Sequence, residues 1–131
     1  DIIQELENII KNFPKFNIKL KDFHVFYNDP WTKCNTITYS LSEENLSFLR
    51  KIQLKVTDSI DKFNTKGFDY AYIGDKWIPH ITIASIELDK FDLVFEKIKQ
   101  KPIQGEFSID AINLYKIEKE TSFLIKSFEL G

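Results

Sequence analysis

The sequence has no methionine, a single cysteine, and only four glycines and four prolines in 131 residues. A lone Cys34 excludes an intrachain disulfide and a thiolate metal cluster. It suits a reducing compartment, so a cytoplasmic protein is expected. The scattered glycines form no phosphate-cradling loop, which excludes nucleoside triphosphate hydrolysis of the P-loop kind. No apolar run approaches the roughly 20 residues of a membrane span, and no signal peptide is visible at the start. Neither sign of charge dominates: 18 Lys and Arg face 20 Asp and Glu, for a net charge of −2. No overall cationic field therefore draws in nucleic acid, which argues against a DNA-binding role. RNA, if bound, is held by a local groove. Without methionine the chain has no initiator residue, and Asp1-Ile2-Ile3-Gln4-Glu5-Leu6 already reads as helix. Sequence preceding Asp1 is the expectation.

What the chain does have is core material. Apolar residues make up 43% and charged residues 29%, with 12 Phe, a balance that fits one globular domain over residues 1–131. Ile2, Ile3, Leu6, Ile9, Ile10 and Phe13 recur at helical spacing and Pro14 closes the pattern. Phe16 to Lys21 alternates as a half-buried strand, and Phe23 to Tyr27 extends it or begins another. Asn28-Asp29-Pro30 signals a turn, and Thr36 to Leu41 alternates again. Ser42 is placed to cap a long helix striped by Leu46, Leu49, Ile52, Val56, Ile60 and Phe63, with Gly67 as its stop. Phe68 to Ile73 reads as extended. Pro79 to Ile86 reads as a strand, Asp89 as the cap of a third helix, and about 105–117 and 122–130 as closing strands around a polar turn. The order α-β-β-α-β-α-β-β suits an α+β fold, with helices set on a mostly antiparallel sheet.

The chemistry concentrates in Trp77-Ile78-Pro79-His80-Ile81-Thr82-Ile83-Ala84. On a strand, side chains at i and i+2 share a face. His80 and Thr82 therefore project together, with Ile81 and Ile83 expected in the core behind them. An imidazole ordinarily titrates near working pH and can move a proton. A hydroxyl beside it can donate to a phosphoryl oxygen and steady developing charge. The plain alternative is a half-exposed strand with polar residues on its solvent side.

Pro79-His80-Ile81-Thr82-Ile83-Ala84, preceded by Trp77, resembles the second catalytic motif of the 2H phosphoesterases, which include the 2′-5′ RNA ligase-like proteins and cyclic phosphodiesterases. The chain beyond the motif is similar too: a helix, then Ile103-Gln104-Gly105-Glu106-Phe107-Ser108-Ile109, then Ile112-Asn113-Leu114-Tyr115, then Phe128-Glu129-Leu130-Gly131. The resemblance is specific over residues 67–131 and one of layout before that. It implies a bilobal α+β fold in which two His-x-Thr strands face each other across a cleft. One His would act as base and the other as acid, Thr hydroxyls would hold the phosphate, and neither metal nor cofactor would be required. Catalysis is thus expected from His80 and Thr82, on an RNA end or a small cyclic phosphate or nucleotide. The other histidine, His24, has Phe26 where the motif needs Thr or Ser, so it reads as structural. The first motif, with its N-terminal strand, is expected before Asp1. Tyr115, on a strand expected beside that of His80, is a candidate for stacking a base. Trp77 could line a cleft mouth or pack in the core, and Lys76 could neutralise a phosphate or sit in solvent. A non-catalytic RNA-binding or interaction module on the same fold is the competing reading.

Overall fold

The computed structural model describes residues 1–65 and 73–131. Its first helix, α1 (Ile2–Ile10), starts where Asp1 accepts a hydrogen bond from the Gln4 amide at 3.1 Å. That satisfies one of the amides a helix leaves unpaired at its start. The helix closes before Phe13. The Asn12 and Phe13 amides donate to the carbonyls of Ile9 and Ile10, a tightening of the last turn, and Pro14 cannot extend it.

β1 (Phe16–Phe26) is one strand and not two. Its register against β2 (Asn35–Leu41) shifts between Leu20 and Phe23. This bulge absorbs Lys21 and Asp22, where the alternation in the sequence falters. The intervening turn places Asn28 and Lys33 at positive φ, and Asn35 accepts from the Asn28 amide at 2.8 Å. α2 (Glu43–Ile60) is capped by Ser42, whose hydroxyl accepts from the Asn45 amide at 3.2 Å. It passes into a 3-10 turn at Asp61–Phe63. The expected stop at Gly67, and all but Ile73 of the expected stretch 68–73, lie outside the described residues. β3 (Ile81–Ile86) is followed by α3 (Phe91–Lys99), whose cap is Lys90 and not Asp89, with no side-chain bond.

The closing region differs from expectation in one respect. The run 105–117 divides into β4 (Glu106–Ile109) and β5 (Ala111–Glu118) at Asp110, and β6 (Thr121–Glu129) comes next. The division sends the two pieces to different sheets. One sheet has the order β3-β2-β1-β4, and β5 and β6 form the other. β1 with β2, β2 with β3, and β5 with β6 pair antiparallel. The architecture is α+β, as the element order implies.

The chain forms two compact units. The first holds Asp1–Asn17, Ser47–Ile78 and Ser108–Gly131. Its core is Leu6, Ile10, Phe128 and Leu130, with Val56, Ile60, Ile112 and Leu114 packed against them. The second holds Ile18–Leu46 and Pro79–Phe107. There one face of the sheet is closed by α3. Phe23 stacks on Tyr39 at 4.6 Å and meets Phe95 edge-on at 5.8 Å, and Phe95 packs on Phe91 at 5.2 Å. Aromatic rings bury much area per residue, so a few of them on one short helix cover much of that face. No described helix is long and apolar enough to cross a membrane.

Candidate active site

The opposite face of that sheet is polar. Residues directly across an antiparallel pair share a face. His24 stands across from Thr38, and Thr38 across from Thr82. One row therefore crosses three strands with an imidazole and two hydroxyls. Phe26 across from Thr36, and Thr36 across from Ser85, make the next row.

His80 immediately precedes β3 and is exposed, as is Thr82. Thr82 is the second residue of the edge strand β3, and His80 is the residue just before its first. Pro79 beside them is buried, so the backbone that carries His80 is anchored. Ile81 is half-buried opposite Tyr39. Ile83 departs from expectation: it is 36% exposed and does not enter the core. Between Ile37 and Thr38, β2 advances one residue while β3 passes from Ala84 to Thr82. Ile83 is the extra residue of a bulge, which resets the alternation. Consequently Ser85, and not Ala84, joins the face of Thr82. Its hydroxyl lies 3.2 Å from that of Thr36, which in turn donates to the Asp29 carboxylate at 3.1 Å.

Phe26 links the two histidines. Its ring centroid lies 4.9 Å from that of His80 and 4.8 Å from that of His24. A ring rooted on β1 that touches a ring at the start of β3 must cross β2. This accounts for the full burial of Thr38 on that polar face. The Thr38 hydroxyl donates to the His24 carbonyl at 2.7 Å, so the burial leaves no lone polar group.

Two features of this region go beyond the expectations from sequence. The first is that His24 and Phe26 belong to the face of His80. The alternation Phe23-His24-Val25-Phe26 carries the signal, since Phe23 packs toward α3 and its neighbours must point away. The second is Arg50, the only arginine. Its Nε and Nη2 donate to the Trp77 carbonyl at 3.3 and 3.1 Å, a bond within the first unit. Trp77 itself is half-buried and Lys76 exposed.

Tyr115 does not lie where the succession of strands suggests. It is 51% exposed on β5, whose partner is β6, while β3 pairs with β2 at the edge of the other sheet. β5 and β3 are therefore not strands of one sheet. Among the described residues, no group of three or more His, Cys, Asp or Glu could hold a metal ion.

The arrangement can transfer a proton through an exposed imidazole and, beside it, donate hydroxyl hydrogen bonds to an anion. The family model described as the 2′-5′ RNA ligase superfamily matches residues 1–121. No curated protein matches the chain.

Proposed function

The chain belongs to the 2′-5′ RNA ligase superfamily, and we propose that it is a metal-independent phosphodiesterase opening RNA-type 2′,3′-cyclic phosphates or related phosphodiesters. The observation that carries this reading is that His80, exposed beside the buried Pro79, immediately precedes the edge strand β3, on which Thr82 is also exposed. In the hydrolytic direction a water oxygen bonds to phosphorus and the bond from phosphorus to a ribose oxygen breaks. A proton leaves the water and a proton reaches the departing ribose oxygen. His80 performs one of these two transfers. The Thr82 hydroxyl donates to a phosphoryl oxygen whose charge grows as the new bond forms. Side chains of this kind need no bound ion. One cysteine and an RNA-derived substrate suit a cytoplasmic setting.

The test uses the full-length protein with uridine 2′,3′-cyclic phosphate and a metal chelator, with products identified by ³¹P NMR. Ring opening to a uridine monophosphate in the presence of chelator is the expected result. Binding of RNA without turnover of this or an oligonucleotide cyclic phosphate would sink the enzymatic reading in favour of an RNA-binding module. Turnover abolished by the chelator would sink its metal independence.

A further inference from the structure

The imidazole of His24 has no role in the reaction proposed for His80 and Thr82, yet it lies on the same face. We propose that His24 is a positioning residue that holds a second phosphate of the substrate, one nucleotide step from the phosphate at His80. The site would then accept an RNA end bearing a phosphate on each side of its terminal nucleoside, in preference to a nucleoside with a single phosphate. This inference rests on the phosphodiesterase reading.

Three observations lead to it. His24 shares the row of Thr38 and Thr82, and so lies on the face of Thr82. Its ring meets the ring of Phe26 edge-on at 80°, and Phe26 meets His80 on its other contact. The face thus reads imidazole, phenyl, imidazole. Finally, the His24 ring is only half-buried, and among the described residues its nitrogens make no hydrogen bond. Packing against Phe26 needs no N–H group, so the polar atoms of His24 are left for a ligand.

A nucleotide chain alternates in the same way: phosphate, nucleoside, phosphate. An aromatic ring offers a surface to the flat base or the sugar of the nucleoside. An imidazole in either neutral tautomer keeps one N–H donor for a phosphate oxygen. With the reacting phosphate at His80 and Thr82 and the nucleoside over Phe26, the phosphate on the far side of that nucleoside reaches His24. The backbone there is held by Thr38 through the His24 carbonyl, so the imidazole is presented from a fixed point.

Two ligands separate the claims: uridine 3′-monophosphate and uridine 3′,5′-bisphosphate, titrated into the full-length protein by calorimetry. The wild type should bind the bisphosphate about tenfold more tightly, the value of one added hydrogen bond to a charged group. His24→Ala should erase that preference and leave the monophosphate affinity unchanged. His24→Gln, which keeps an N–H donor, should retain part of it. A wild type that binds both ligands equally, or a preference that survives in His24→Ala, overturns the inference while the phosphodiesterase reading stands. Equal weakening of both ligands in His24→Ala and His24→Gln would mark His24 as structural and also overturn it. If neither ligand binds the wild type, or if His80→Ala leaves both affinities intact, the phosphodiesterase reading fails and the inference falls with it.

Discussion

The hydroxyl of Thr38 donates to the backbone carbonyl of His24 at 2.7 Å, from a side chain with no exposed surface. The bond joins β1 to β2 beneath the ring of Phe26 and sets the level from which His24 and Phe26 rise. Thr38→Val keeps the shape of the side chain and removes the donor, leaving a buried carbonyl lone pair unmet. Such a loss costs about 1–3 kcal/mol. A lower urea midpoint with an unchanged slope is the expected result of chemical denaturation.

Thr82 shares that row but is exposed, so its hydroxyl contributes little to stability. Thr82→Val should change the unfolding free energy by no more than about 0.5 kcal/mol. The same substitution should lower kcat/KM on uridine 2′,3′-cyclic phosphate by about a hundredfold, as expected when one donor to a developing charge is lost. Steady-state kinetics beside a thermal melt would separate the two effects. A variant that melts normally and turns over normally would remove Thr82 from the site.

Phe128 carries the opposite balance. It is 3% exposed, on β6, in the core that α1 closes with Leu6 and Ile10. Phe128→Ala should cost about 3–5 kcal/mol, from lost burial and the cavity left behind. Against a typical domain stability of about 5–15 kcal/mol, that is a large share. Equilibrium denaturation measures it directly.

Lys62 lies 2.6 Å from Glu5. Its hydrogen bond first, and its charge second, hold the Glu5 carboxyl below the usual carboxylate range. The folded form then favours the ionised carboxyl more than the unfolded form does. The pair's contribution is present above the ordinary Glu pKa and is lost as pH falls through the lowered one. Glu5→Gln should therefore narrow the difference in melting temperature between neutral and acidic buffer, relative to the wild type. The effect is small because both groups reach solvent. A wider difference in the variant would contradict the assignment.

The parts of this site that are legible in the sequence are those fixed by local spacing. The i, i+2 spacing of His80 and Thr82 predicts a shared face, and Pro79 and the β-branched run declare the strand. The element order is readable from helical and alternating patterns in the same way. What escapes depends on partners distant in sequence. The bulge that exposes Ile83 and turns Ser85 toward Thr82 arises from the register between β2 and β3, which nothing within 81–86 specifies. His24 reads as a structural residue because its own strand lacks a hydroxyl at the matching position. The hydroxyls of its row come instead from Thr38 and Thr82, across two strand pairings. The succession of strands places Tyr115 beside His80. The interruption at Asp110 instead gives β5 to a different sheet, and a run of alternating residues does not show where it changes partners.

The central claim, that His80 moves a proton during cleavage of a phosphodiester, is tested most directly by one comparison. The rate of uridine 2′,3′-cyclic phosphate hydrolysis would be measured for the full-length wild type and its His80→Ala variant, in chelator, with the fold of each checked by thermal melting. A loss of at least about a hundredfold in kcat, with the melt preserved, is the predicted result. An unchanged rate in a folded His80→Ala protein would contradict the account.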